Sequence, residues 1–306
     1  LAERLREVLR RARRGIGRMT DFAADWLDLR EPLDAVSRDP EPIAALIEWS
    51  RPHAALSVLD LGCGTGANFR VLAPLLGEDQ DWRLVDCDPD LLAGGDRRLQ
   101  RWAAARKLSV RAEAATLTLE DAERRYRIEG IRLDLTEGWE RLERRAADLV
   151  TASALLDLTS AAWLDRLAQR CREWRAAVYI ALSYDGQTCW DPVLEQDGWV
   201  RERHNRHQRT DKGFGPALGP DAPATLAIRL RELGYWVMLR PSPWRLGAEH
   251  DAMQTTLLSG WSRVVRQLDP RAADWLTAWT EERRRLIDRK ASRLYVGHWD
   301  LFARLP

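Results

Sequence analysis

The sequence predicts an α/β protein with a mainly parallel sheet covered by helices on both faces. Three observations carry this. Strand-like and helix-like segments alternate from residue 40 onward. A glycine-rich stretch, "LDLGCGTGAN" (Leu59–Asn68), follows an apolar run and precedes a helical pattern. The chain closes on a long alternating run, "RLYVGHWDLFARL". Helical crossovers join parallel neighbours, and parallel sheets are buried on both sides.

Taken in order, "PIAALIEW" is an amphipathic helix and "ALSVLDL" a buried strand ending at the glycines. Phe69, Leu72 and Leu76 have helical spacing, and Pro74 keeps that helix short or bent. "WRLVDCD" is the next strand, and Leu92, Leu99 and Trp102 mark the helix after it. "LSVRAEAATLTLED" and "RYRIEGIRLDL" are extended runs, the second a sheet strand and the first an added hairpin strand. "ADLVTASALL" is a strand, followed by a helix with Leu164, Leu167, Ala168 and Cys171 on one face. "AAVYIALSY" is a strand that ends at Tyr184 and Asp185.

A polar, glycine-rich excursion runs from Asp185 to Pro220, too long for an ordinary connection, and reads as an inserted substrate loop. Leu226, Leu230 and Leu233 form a helix closed by Gly234, and "YWVMLR" is a strand. Met253, Leu257, Trp261, Val264 and Leu268 define another helix, and Asp269–Pro270 starts one more. With no linker or repeat, residues 40–306 read as one domain, preceded by a helical extension or lid over 1–39.

Composition narrows the partners. The 306 residues carry 48 basic and 47 acidic side chains, a formal charge of +1, which argues against a general nucleic-acid binder. Arginine far outnumbers lysine (Lys107, Lys212 and Lys290 only), a coding bias expected of a GC-rich bacterial genome. Residues 1–18 hold seven arginines and read as a solvated extension or a basic surface helix. The four cysteines are far apart with no C-x-x-C pair, so reduced thiols, no metal site and no disulfide framework are expected. No apolar run approaches a membrane span and no signal-peptide core is present, so a soluble, cytoplasmic protein is expected. Nothing in the sequence indicates an oligomeric state.

The glycines alone fit two cofactors, because Gly62, Gly64 and Ala67 also match the dinucleotide pattern G-x-G-x-x-A. Three acids add to them. Asp86 ends the following strand, 20 residues after Gly66, where a carboxylate accepts from ribose hydroxyls. Asp134, ending the next strand, is within reach of an adenine amino group. Asp60 precedes the first glycine by two residues; it suits an ammonium group and repels a pyrophosphate.

"VLDLGCGTG" together with "LVDCDPDLL" resembles the class I S-adenosylmethionine-dependent methyltransferases over roughly residues 40–185, and the closing elements suit that family to the end. The resemblance implies a Rossmann-like, mostly parallel seven-stranded sheet with an antiparallel last strand. It also implies S-adenosyl-L-methionine as cofactor, S-adenosyl-L-homocysteine as product, and a methyl acceptor. On it, Gly62, Cys63, Gly64, Gly66 and Asn68 lie under the methionine part and Asp60 contacts its amino group. Asp86 with Cys87 takes the ribose, Asp134 with the Leu135 amide the adenine, and Ser153 ends the fourth strand nearby. An N-terminal segment, "DWLDLREPLDAVSR", folds over the cofactor in related enzymes; here Trp26 and Arg30 cover the site, with Arg30 or Arg38 reaching a carboxylate.

Three places border the methyl position. Asp157 in "SALLDLTS" is either a base or a helix-entry residue, and Tyr184 flanks the pocket. In "RERHNRHQRTDKGFGPALGP", a helical start would put His204, His207, Gln208 and Asp211 on one face. His204, Asn205, Gln208, Asp211, Lys212 and Phe214 are the substrate candidates there, and His207 is the first choice of base. The chain lacks a Pro-Cys dipeptide and any N-P-P-Y or D-P-P-Y string, which marks down cytosine C5 and amino-methylating nucleic-acid enzymes. A small-molecule acceptor methylated on O, N or C is expected, and the arginine-rich loop suits an anionic one. An RNA or protein methyltransferase and a non-catalytic cofactor-binding scaffold or sensor remain alternatives.

Overall fold

The computed structural model describes residues 20–113, 116–138, 141–142 and 145–306. The arginine-rich segment 1–18 lies outside the described residues. Helix α1 (Thr20–Ser37) leads into α2 (Pro40–Ser50), whose start is capped by Asp39 accepting from the Glu41 N–H at 2.9 Å. Strand β1 (Leu56–Leu61) then runs to the glycine loop, and the short α3 (Ala67–Leu72) follows from Gly66. A single 3₁₀ turn, Ala73–Leu75, accommodates Pro74, as the proline predicts. Strand β2 (Asp79–Asp86) and α4 (Pro89–Ala105) come next, α4 capped by the Asp88 carboxylate on the Asp90 and Leu91 N–H groups.

Among the described residues the sheet has ten strands, not seven. Its centre is β5 (Arg125–Arg132), β2, β1, β6 (Leu149–Ser153) and β7 (Ala177–Asp191), side by side and parallel. Beyond β7 lies β10 (Arg293–Arg304), antiparallel, then β8 (Trp236–Pro241) at the edge. The three additional strands are the β3–β4 hairpin (Ser109–Glu113 and Thr116–Glu120), which extends the β5 edge, and the short β9 (Trp244–Leu246) on β10. The sequence run over 108–121 reads as one added strand, but it turns back on itself and pairs as two.

Alternation on β1 divides the core. Leu59 and Leu61 face α5 (Ala161–Trp174) and α7 (Ala222–Glu232), while Leu56 and Val58 face α2, α3 and α4. A third apolar cluster forms past the carboxyl ends of the parallel strands. There β7 and β10 run on as a ribbon through Trp190, Leu294 and Val296. They pack against α6 (Asp197–Gln208), α8 (Asp251–Leu268) and α9 (Ala273–Asp288). The 185–220 excursion is therefore corrected: its first part continues β7 to Asp191, its middle is α6, and the connections 192–196 and 209–218 lead into and out of that helix, the second ending in a 3₁₀ turn at Gly219–Asp221. Tyr184 consequently sits inside a strand rather than at its end.

The ribbon leaves the main sheet at a kink. Leu182 has a left-handed φ of 54°, and β10 shifts register between Val296 and His298 and between Trp299 and Leu301. One side chain holds this kink. The Asp300 carboxylate, 0% exposed, accepts from Leu182 N at 2.8 Å, from Ser242 Oγ at 2.7 Å and from Asp39 N at 3.0 Å. It joins the bulge, the end of β8 and the α1–α2 junction. Asp300→Ala leaves buried donors unpaired and should cost about 3 kcal/mol in denaturant unfolding.

Candidate functional site

The glycine loop folds closely against two neighbours. Gly62 and Gly64 have φ of 65° and 54°; a Cβ on Gly62 would meet Leu155 at 3.1 Å, and one on Gly64 would meet Leu27 of α1 at 3.0 Å. The lid helix therefore lies on the loop. It is clamped there by Glu31, which accepts from Arg70 Nε at 2.7 Å and Nη2 at 2.5 Å, and by an Asp28–Arg98 ion pair. Arg70 also donates to Thr65 O at 2.6 Å, tying the clamp to the loop itself.

Asp60 is wholly buried at the end of β1. Its Oδ1 accepts from Asn68 Nδ2 at 2.8 Å, and the same amide donates to Thr151 Oγ1 at 3.0 Å. Asp60 Oδ2, Asn68 Oδ1, and Nε and Nη1 of buried Arg38 have no hydrogen-bond partner. Burial raises the Asp60 carboxyl to about 7, against the opposing effects of the Asn68 bond and the Arg38 charge, with Asp86 raising it further. Buried polar atoms without a partner are the ones an incoming ligand would satisfy.

Asp86 turns its carboxylate onto the backbone, Oδ2 accepting from Gly64 N at 2.8 Å and Oδ1 from Asp88 N at 2.9 Å. Burial nevertheless raises its pKa, with those two N–H groups opposing the rise. Asp134 lies two residues past β5, exposed, its Oδ1 accepting from Thr136 N and Oγ1 at 2.9 and 2.6 Å. Leu135 is buried and its carbonyl accepts from Trp163 Nε1 at 2.9 Å. Cys63 is buried in the loop, Cys87 is exposed beside Asp86, and Ser153 is half-buried at the end of β6.

On the ribbon side a second group converges. Asp157, buried in the turn after β6, accepts from Gln208 Nε2 of α6 at 3.1 Å. Burial raises its carboxyl to about 6, while the Arg30 and Lys212 charges pull it down. Lys212 Nζ donates to Thr210 Oγ1 at 3.0 Å and lies 3.3 Å from His207 Nδ1. An ammonium can only donate, so His207 Nδ1 accepts and the neutral ring carries its proton on Nε2. That tautomer has no free lone pair, which removes the reason for choosing His207 as base; desolvation also lowers its pKa.

Tyr184 donates to Asn205 Oδ1 at 2.8 Å, and Asn205 Nδ2 donates to Gly186 O at 2.9 Å, so both are held. Burial pushes the Tyr184 phenol up, out of range as a base. His204 stands edge-on to Tyr184 at 5.6 Å, and desolvation lowers its pKa to about 4. Two other substrate candidates have contacts within the protein. Phe214 packs edge-to-face on Trp163 at 5.5 Å, and Asp211 lies beyond α6, its Oδ1 accepting from Gly213 N and Gly215 N. The apolar stem of the former and the turn-forming reach of the latter account for both.

Arg30 pairs with Asp34 at 2.8 Å and stacks on Trp26 and Trp244 at 5.8 and 5.0 Å. Its charge reaches Asp157 and His298, so it belongs with the ribbon group, whereas Arg38 lies over the Tyr179 ring at 5.8 Å, its charge reaching Asp60 and Asp300. His298, Trp244 and Asp300 are absent from the sequence reading. His298 is buried 4.7 Å from the Trp244 ring with its Nδ1 unpartnered, and desolvation lowers its pKa to about 3. The available signal was the polar pair His298 and Asp300 interrupting an apolar strand. Among the described residues, no group of three or more His, Cys, Asp or Glu could hold a metal ion, and no helix is long and apolar enough to cross a membrane.

The Asp157 shift has a stability consequence. A carboxyl raised on folding binds its proton more tightly in the folded state, so stability falls as pH rises from about 4 to about 6. Asp157→Asn keeps an acceptor for Gln208 and removes the buried charge. Its unfolding free energy should exceed that of the parent by up to about 3 kcal/mol at pH 7 and match it at pH 4.

No family model matches the chain, and no curated protein matches it. Among solved structures, a Bacillus halodurans putative methyltransferase is 13% identical over 86% of this chain and 98% of its own, with a TM-score of 0.45. A Geobacter sulfurreducens S-adenosylmethionine-dependent methyltransferase, crystallised with S-adenosylhomocysteine, is 17% identical over 88% and 92%, at 0.42. A Thiobacillus denitrificans counterpart with the same ligand is 16% identical over 87% and 91%, at 0.40. The chain's own strand order is that of a Rossmann-like sheet: five parallel strands, the glycine loop after β1, and β10 inserted antiparallel between β7 and β8.

Proposed function

We propose that this chain is an enzyme that transfers a methyl group from S-adenosyl-L-methionine to a small-molecule acceptor. The observation that carries the reading is the set of unpartnered buried atoms on Asp60, Asn68 and Arg38 beside a glycine loop. An ammonium and a carboxylate on one ligand, as in a methionine moiety, would satisfy Asp60 Oδ2 and Arg38 together. A nicotinamide dinucleotide would bring a pyrophosphate to the Asp60 carboxylate instead. Asp86 has the donors of its own loop as partners, and ribose hydroxyls would exchange with or add to them. Asp134, with the Leu135 backbone, would border the adenine.

The bound cofactor supplies an electrophilic methyl on a sulfonium, and the chain's residues position, desolvate and deprotonate the acceptor. Helix α1 covers the loop and excludes water through Leu27 and the Glu31–Arg70 and Asp28–Arg98 clamps. Asp157 would accept the acceptor's proton. It follows β6 closely, two residues past the Leu155 that touches the glycine loop, and at pKa about 6 it is ionised yet basic at neutral pH. Gln208 orients it. Asn205, Tyr184, His204 and His298 would line the acceptor's other side.

Calorimetry with S-adenosylhomocysteine tests the cofactor. Absence of binding, or selective binding of NAD, would end the reading, and Asp86→Ala should weaken the affinity by about tenfold or more. Asp60 is half-protonated near pH 7 in the free chain, and an incoming ammonium favours its ionised form. Binding at pH 7 should therefore release about half a proton. Titrations in buffers of different ionisation enthalpy would read that release, and Asp60→Asn should abolish it.

A further inference from the structure

The acceptor group contains a cation with no carboxylate of its own. Of the three lysines, Lys290 pairs with Asp251 at 2.5 Å, and Lys107 stands exposed after α4. Lys212 is half-buried and spends two of its donors on neutral atoms, Thr210 Oγ1 and His207 Nδ1. Its charge acts on Asp157, yet no ion pair is formed among the described residues. The loop that carries it is built, since Asp211 Oδ1 accepts from both Gly213 N and Gly215 N, and the positive φ at each glycine turns the chain back sharply. Phe214, anchored on Trp163, pins the same loop to α5. A half-buried ammonium on a pinned loop, with two of its three donors on neutral atoms, is a place for a negatively charged oxygen.

We propose that Lys212 is the oxyanion-binding residue of the acceptor subsite, and that the acceptor presents an acidic hydroxyl, a phenol or an enol, which is methylated on oxygen. The inference rests on the methyltransferase reading above and specifies its substrate class. Charge decides between acceptor types. An amine arrives as an ammonium, and its methylated nitrogen carries positive charge, which the Lys212 ammonium opposes. A carboxylic acid arrives already ionised, leaving Asp157 nothing to do. A hydroxyl uses both groups: its O–H bond breaks, the proton passes to the Asp157 carboxylate, and the electron pair stays on an oxygen held by Lys212. The methyl then bonds to that pair as the carbon–sulfur bond opens toward sulfur, so the product is a neutral ether. The surrounding titratable groups do not compete for this role. His207 on α6 gives its lone pair to Lys212. Tyr184 on β7 keeps its proton, and the neighbouring rings of α6 and β10, His204 and His298, stay uncharged.

The test uses 4-nitrophenol, whose phenolate is yellow and whose phenol is not, added to the full chain holding S-adenosylhomocysteine. At a pH below the free phenol's pKa, binding should raise the phenolate absorbance. Lys212→Met should lose that rise and bind the probe about tenfold more weakly, and Lys212→Arg should retain it. Calorimetry with S-adenosylhomocysteine runs on each variant as the control, and its affinity should be unchanged because Lys212 does not touch the glycine loop. If that affinity is intact and Lys212→Met retains the yellow shift, or 4-nitroaniline binds as well as 4-nitrophenol, the oxyanion site is overturned and the cofactor reading stands. If S-adenosylhomocysteine fails to bind the parent chain, both fall.

Discussion

The Asp300 carboxylate is the constraint on which the site depends. It is buried on β10 among three donors that belong to three separate elements, with the Arg38 charge also bearing on it. A buried carboxylate is tolerated only where its lone pairs are used, so its partners must come to it. Leu182 pays for this with a left-handed backbone in the middle of a strand, a conformation that costs a branched side chain on the order of 1 kcal/mol. The return is geometric. The bulge re-aims β7, so that Tyr179 packs with the sheet's core and Tyr184 with the ribbon's. Asp39, held by the same carboxylate, sets where α1 leaves α2 and therefore where Arg38 and Leu27 stand.

Two electrostatic regimes meet across that junction. On the sheet side, Asp60, Asp86 and Arg38 keep charge in a buried place, with atoms left over that a zwitterionic ligand would use. On the ribbon side, desolvation drains charge from the imidazoles, and Arg30 is neutralised by Asp34 and shielded by two indoles. Asp157 and Lys212 carry charge there, and each acts on the other. The division explains why two faces of the α1 helix carry different partners: Asp28 and Glu31 toward α4 and α3 near the loop, and Arg30 with Asp34 toward Trp244 of β9.

The parallel core and the glycine loop were legible because each is a local pattern. Apolar runs such as Val58–Leu61, broken by glycines, announce a strand and a turn without reference to the rest of the chain. The ribbon was not legible in the same way. Nothing within "AAVYIALSY" says that the strand continues past Asp185, because the residues beyond it are polar and pair only with β10, more than a hundred positions away. Residues 197–208 lacked the apolar periodicity of a helix for a related reason. Only Val200 is buried there, and the other positions that face inward are His204, Asn205 and Gln208.

Site residues divide along the same line. By itself the sequence pointed to a cofactor half, since Asp60, Gly62, Gly64 and Asp86 sit at strand ends that their own neighbours define. For the acceptor half it offered Asp157, Tyr184 and the stretch 201–220. Only the tertiary structure decided which members of that stretch face Asp157 and which merely hold the loop. It alone set Arg38 over Tyr179, Arg30 beside Trp244, and brought His298 and Asp300 into the account. The physical reason is that burial and charge pairing are properties of neighbours in space. His207 reads as a base until a lysine five residues on is found donating to it, and Asp300 reads as one more strand residue until three distant donors are found around it.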